Sequence, residues 1–471
     1  MTAALPASLP AAADESLCLP DAHALLQGFG KGAFTPSQVT DAYLARIARL
    51  DGRLHAYVLV LVEQARAQAA ESDARWRAGT PRALEGLPVA IKDLIELEGH
   101  DTTAGSATRR GRPSTITATL ARRLREAGAV ILGKVHTAEF AFGSWGDNEH
   151  LGAPLNPWRL DEPHTPGGSS SGSGVAVAGR LAVAAIGTDT GGSVRIPAAF
   201  NGVVGLKTSF GRISGHGVVP LSPSLDTPGV LARSVPDAAL VYQVLQGHDA
   251  LDPRTWARPP ALPVSGPLDD LSDLRLAALC DTDRQGIAPS MLAAYDDCLD
   301  RLRALGATVE PVVLEQPVHR FGDPTPMAAE AFALHGAVAL DPASLMDRTV
   351  RQRVLGGDMP AADYLRHRET VAAQSVDYHR RMVGFDAFVL PTTQVPAVPL
   401  ASIGRRTNAS VLTRFANLFG LCGVALPSGY DESGLPLSLQ ICCAGYQEHV
   451  ALRLAESLER ATADARHYPE I

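Results

Sequence analysis

"PHTPGGSSSGSG", residues 163–174, and "GTDTGGS", residues 187–193, stand on either side of the apolar run "VAVAGRLAVAAI". That run reads as a short helix and a strand, and it has close neighbours of the same kind. Upstream, "LEGLPVAIKDLIELEG" compresses into a buried strand ending at a charge, and "TATLARRLREAGAVILGKV" reads as helix, turn at Gly128 and strand. Downstream, "VVGLKTSFGRIS" continues the rhythm. Alternating strands and helices of this type predict an α/β fold, a large mixed β-sheet covered by helices on both faces.

Further out, residues 21–76 space their apolar positions at three and four, which predicts two or three amphipathic helices capping one flank of the core. From about 265 to 385 the texture becomes helical with Pro-rich links, the pattern of an insertion or lid over a substrate pocket. Strand-like patterns return in "FDAFVLPTTQVP" and "GVALPSGYDESGLPLSLQICCAG", and a helix closes the chain. The expected layout is a disordered tail over 1–16 and one large domain over 17–471, with the helical section inside it.

Composition narrows the partners. A formal charge of -8 without a dense Lys/Arg run offers a phosphate backbone no attractive field, so nucleic acid is not expected. Gly, Pro or a charge interrupts every apolar stretch before the ~18 residues a membrane span needs, and the first residues lack a basic signal-peptide start. A cytoplasmic protein without membrane contact is the expectation. Cys18, Cys280, Cys298, Cys422, Cys442 and Cys443 show no paired spacing and read as reduced, mostly core thiols. "NAS" at 408–410 matches a glycosylation sequon that, without a secretion signal, reads as chance.

The two glycine-rich knots admit several chemistries. A phosphate loop needs a lysine after its second glycine, and Gly167 and Gly172 lead only to Ser173. A dinucleotide fingerprint fails too, since Val177 stands where a third glycine belongs. "GSSSG" at 168–172 formally makes a nucleophile elbow centred on Ser170, with His164 as the local base, but a Pro-rich charged segment replaces the strand that an elbow requires. Lys92, at the end of "LPVAIK", reads either as a strand-end lysine that snorkels or pairs with Asp93, or as a desolvated amine able to act as a base.

Taken together, "GLPVAIKD", "GGSSSGSG" and "GTDTGGSVRIPA" at 187–198 resemble the amidase signature family, as do "TTAGS" at 103–107, "GLKTSFGRIS" at 205–214 and "LDTPGVLARSV" at 225–235. The resemblance covers most of the chain outside the tail and the helical section. It implies a Ser–cis-Ser–Lys triad: Ser193 as acyl-forming nucleophile, Ser169, 24 residues earlier, as bridge, and Lys92 as base. The family holds the peptide bond of the bridging serine cis. Ser171 departs from the pattern, since a glycine is more usual there.

Such a triad would activate a serine through a relayed proton, and the backbone N–H groups of Thr190, Gly191, Gly192 and Ser193 would converge on the oxyanion. Asp189 and Arg195 are expected to brace that turn. Trp145 stands in a stretch that borders the acyl pocket in the family, so substrate contact and core packing are both open. His136 and Glu139 have helical spacing but no third metal ligand in sequence, and no metal or organic cofactor is implied. The expected function is hydrolysis of a small-molecule amide or carbamate by a free-standing enzyme, with a homodimer as the family-level expectation. The alternative is the glutaminase component, the A subunit, of an aminoacyl-tRNA amidotransferase.

Overall fold

The computed structural model describes residues 14–405, 408–463 and 467–471. Helices α1 (Ala22–Lys31) and α2 (Pro36–Leu54) start the described chain, and Thr35 and Gln38 cap α2 reciprocally. Then come β1 (Tyr57–Val60), α3 (Val62–Arg77), β2 (Pro88–Lys92), α4 (Thr119–Glu126) and β3 (Val130–Val135). The glycine-rich region gives α5 (Ser171–Ala178), β4 (Ala184–Asp189), α6 (Arg195–Asn201), β5 (Val204–Lys207), β6 (Thr227–Ala232) and α7 (Val235–Leu245).

The section expected to be helical holds α8 (Pro289–Ala304), α9 (Thr325–Leu340), α10 (Arg348–Leu355) and α11 (Ala361–Arg381), but also β7 (Arg275–Leu279) and β8 (Thr308–Val312). The chain ends with β9 (Ala387–Pro391), α12 (Arg414–Leu418), β10 (Cys422–Tyr430), β11 (Pro436–Cys443) and α13 (Glu448–Ala461).

All of the strands join one 11-stranded mixed sheet in the order β1-β3-β2-β4-β6-β5-β10-β11-β9-β7-β8. β2 runs parallel to both β3 and β4, whereas β4, β6, β5, β10 and β11 alternate antiparallel. Helices cover both faces of the sheet and build one main core around it. β2, β3 and β4 are buried along their whole length, which is why they read as unbroken apolar runs rather than alternating ones.

Four strands depart from the sequence expectation. β7 and β8 make residues 265–385 a part of the sheet as well as a helical cover, because β8 shows only partial burial and carries charge and proline. β1 is four residues long between two helices and carries too short a pattern to separate from them. β6 contains Pro228 and Gly229, residues that argue against a central strand, yet it pairs with β4 on one side and β5 on the other.

Residues 1–13 of the expected tail lie outside the described residues. Its last positions do not float: Glu15–Cys18 form a single 3-10 turn, and Glu15 binds Arg46 at 2.8 Å and Arg49 at 2.5 Å. The six cysteines are free thiols, and all but Cys280 are buried. No helix among the described residues is long and apolar enough to cross a membrane.

Candidate active site

β2 and β4 are parallel neighbours, with Ile91 opposite Ile186, so Lys92 and the 187–193 turn emerge at the same end of the sheet. Lys92 is completely buried. Its Nζ donates to Ser169 Oγ at 2.7 Å and to Thr188 Oγ1 at 2.9 Å. Burial pushes its pKa down to about 7, against the opposing pull of the Asp189 and Asp226 carboxylates. Of the two sequence readings of this lysine, snorkelling and pairing with Asp93 both fail: the ammonium points inward, and Asp93 faces Lys134 at 2.7 Å.

Ser169 enters from the loop before α5, and the Gly168–Ser169 peptide bond is cis. Gly168 is packed so tightly that a Cβ there would lie 2.4 Å from the Gly143 carbonyl oxygen. The two glycine-rich knots meet directly, since Ser170 N–H donates to the Ser193 carbonyl at 3.2 Å and Ser170 Oγ sits against the Thr188 backbone at 3.3 Å. Ser171 is the first residue of α5, and its extra hydroxyl is used: Oγ lies 3.0 Å from His136 Nδ1.

The turn 189–193 is built around Asp189. Its carboxylate accepts from Gly192 N–H at 2.7 Å and Val194 N–H at 3.1 Å, and it pairs with the equally buried Arg195 at 3.0 Å. Burial works against that carboxylate's charge, but Arg195, Lys207 and Asn417 outweigh it and hold the group well below the usual carboxylate range. Asn417 and Gln440 complete the Arg195 shell at 2.8 and 2.9 Å.

This corrects the expected set of four oxyanion donors, because the Gly192 N–H is already taken by Asp189. Among the described residues no acceptor meets the N–H groups of Thr190, Gly191 and Ser193. The glycine requirement is also narrower than expected: at Gly192, with φ +128°, a Cβ would fall 2.1 Å from Thr413 Oγ1, whereas at Gly191 it would meet Arg414 at an ordinary 3.5 Å.

Arg195→Ala should be strongly destabilising, since it leaves the Asp189 carboxylate buried and unpaired. Urea unfolding is expected to show a loss on the order of 3–5 kcal/mol. A loss below about 1 kcal/mol, the range of an exposed pair, would contradict the bracing role.

Ser193 opens into a cleft of about 510 Å³ that is also lined by Thr190, Gly191, Leu221, Met327, Arg353 and Arg414. Sequence reasoning missed the last four and Thr188. Arg353 and Met327 arrive from the helical section and Arg414 from α12, and none of them carries a local motif. Trp145 does not line this cleft. It packs in a separate apolar cluster, its ring stacked on Phe200 at 6.1 Å.

His164 also stands apart from the relay, with Nδ1 2.7 Å from the Glu162 carbonyl oxygen. His136 and Glu139 face different partners, Ser171 and the Asp347 backbone N–H, so they do not form a metal-binding pair.

Residues 38–452 match the Amidase family. The chain belongs to that family. Within it, the A subunit of glutamyl-tRNA(Gln) amidotransferase from Anaeromyxobacter sp. strain K is 37% identical over 479 residues, covering 94% of this chain and 96% of that protein. Peptide amidase from Stenotrophomonas maltophilia superposes with a TM-score of 0.83 at 31% identity, over 97% of this chain and 99% of its own. A chain from the inhibitor-bound vestigial protein complex that reveals the origins of an s-triazine catabolic enzyme gives 0.87 at 30% identity, over 96% and 100%. An amidase-family enzyme acting on C–N bonds is therefore the shared ground of the fold and the cleft.

Proposed function

We propose that this chain hydrolyses the C–N bond of a small amide through an acyl-enzyme on Ser193, with Ser169 and Lys92 as the proton relay. The observation that carries the reading is the buried Lys92 amine held 2.7 Å from Ser169 Oγ. A neutral Lys92 accepts the Ser169 proton while Ser169 accepts that of Ser193, whose oxygen attacks the amide carbonyl. Thr188 fixes Nζ from its other side. The free N–H groups of Thr190, Gly191 and Ser193 face the developing oxyanion, each worth ~3–4 kcal/mol of barrier in comparable sites. The relay then runs backwards to protonate the departing amine, and water releases the acyl group by the same path.

The substrate class follows from charge. Two guanidinium groups, Arg353 and Arg414, line a cleft with no carboxylate among its described lining residues, so an amide whose acyl part bears a carboxylate fits it best. Glutamine is one such amide, and here the two sequence readings divide. The names of the curated relatives support the amidotransferase-component reading more directly than the free-standing one, while the peptide amidase neighbour supports the latter.

Ammonia release from glutamine, malonamate, succinamate and glutaramate by the purified chain tests both. Glutamine turnover that rises on addition of a partner protein supports the amidotransferase reading. Preference for another amide by the chain alone supports the free-standing enzyme. No release from any of them, nor from uncharged amides, would sink the hydrolase reading.

The pH profile tests the base. Lys92 must be neutral to accept a proton, so kcat/KM should rise with pH through about 7 and level off above it. Below that point the rate should fall about tenfold per unit. His164→Ala should keep both limb and plateau, and a limb that vanishes in that variant would assign the base to histidine.

A further inference from the structure

One part of the cleft wall is Met327 of α9 and another is Leu221, which leads into the turn before β6; the two belong to one apolar cluster. A chain of polar side chains joins these two parts. Thr190 Oγ1 donates to Asp226 Oδ1 at 2.6 Å, and Asp226 Oδ2 accepts from the backbone N–H groups of Leu221 and Ser222 at 2.9 and 3.0 Å. The same Ser222 donates through Oγ to Glu330 Oε2 at 2.7 Å.

Glu330 accepts three further bonds, from Ser224 N–H at 3.0 Å, Ser224 Oγ at 2.6 Å and Tyr364 OH at 2.8 Å. Arg368 stands 3.6 Å from its Oε1. A carboxylate with four donors in place is a rigid connector, because each charge-assisted bond is about twice as strong as a neutral one.

Glu330 lies three residues after Met327, one turn along the same helix face. It does not line the cleft itself. Further along the helix, His335 Nε2 lies 2.9 Å from the Pro220 carbonyl oxygen. Asp323, just before α9, binds His367 of α11 at 2.6 Å, and the preceding Gly322 carbonyl accepts from Arg414 of α12 at 2.7 Å, so the helix start is held separately. Between these two tethers, Glu330 is the α9 residue beside Met327 whose carboxylate binds the 222–224 stretch.

We infer that Glu330 is a specificity-determining positioning residue, latching α9 onto the 221–226 loop and so fixing the width of the cleft beside Ser193. The inference rests on the amide-hydrolase reading and adds the residue that decides which acyl group fits. Through Ser222, Asp226 and Thr190 the latch also reaches the turn that carries the nucleophile, which explains how a helical section distant in sequence is held in register with it.

The test measures kcat/KM for malonamate, succinamate and glutaramate in the parent and in Glu330→Ala. Loosening the latch should widen the cleft, and the ratio of the longest to the shortest amide should rise at least about fivefold, carried mainly by KM. A variant that merely loses folded molecules lowers all three rates by one factor and leaves that ratio alone.

If Glu330→Ala does not fold, Ser224→Ala removes one of the four bonds, that from the hydroxyl, while keeping the backbone one, and should move the ratio in the same direction by at least about twofold. An active parent whose folded variant keeps the parental ratio overturns the latch alone. A parent that hydrolyses no amide overturns the hydrolase reading, and the latch with it.

Discussion

Ser193→Ala is expected to lower kcat/KM by a factor of at least about 10⁴, some 5 kcal/mol of transition-state stabilisation, while the protein stays folded. The other described hydroxyls of the cleft are engaged elsewhere: Thr190 donates to Asp226, and Ser144 and Ser410 both donate to Asn408. The fold should tolerate the change because Ser193 contributes to packing through its carbonyl, which accepts from Ser170 N–H, and that bond is untouched. Loss of one oxygen at a position 9% exposed leaves almost no cavity. Ammonia release in single-turnover and steady-state assays, with a thermal unfolding curve for each protein, checks both halves. A folded variant with near-parental turnover would remove the acyl-enzyme mechanism.

Lys92→Ala and Ser169→Ala should each lose on the order of 10³-fold or more, and the double variant should lose little beyond the worse single one. Ser169 has no basicity of its own, so once Lys92 is gone the bridge has nowhere to pass its proton. With Ser169 gone, Lys92 keeps only Thr188 as a partner and its line to Ser193 is broken. Lys92 also fills buried space, so Lys92→Met, which keeps the length of the side chain, separates lost chemistry from lost packing. Losses that multiply in the double variant would show two independent contributions in place of one relay.

The outcome at individual residues shows what the sequence could and could not carry. That Lys92 and Ser169 meet, and that the two glycine-rich knots touch, was legible because they sit in long ordered motifs at the end of β2, before α5 and after β4. The buried strands β2, β3 and β4 were legible for the same reason. β6 was not, because Pro228 and Gly229 are tolerated there only through neighbours supplied on both sides.

The 189–193 turn was half legible. Glycines at 191 and 192 announce a tight approach, but only tertiary contacts show that Thr413 forbids a side chain at one and that Asp189 occupies one of the N–H groups. Trp145 shows the converse limit: its neighbourhood in sequence borders the cleft, while its ring turns into another cluster. Arg353, Arg414, Met327 and Glu330 act through long-range placement and leave no periodic or motif signal.

The shell around Asp189 and Arg195 bears on how the protein is made. Asn417 and Gln440, which hold that pair, are synthesised 222 and 245 residues after Arg195. β5 likewise waits for β10, more than 200 residues later, before its second edge is covered. While a ribosome is still translating, the nucleophile turn lacks its supports and the growing sheet presents an open flank, a species prone to aggregation and suited to chaperone capture. The 189–193 turn is therefore complete only once β10 and β11 are made, and loss of β11 would remove Gln440 from a shell whose other residues are all present.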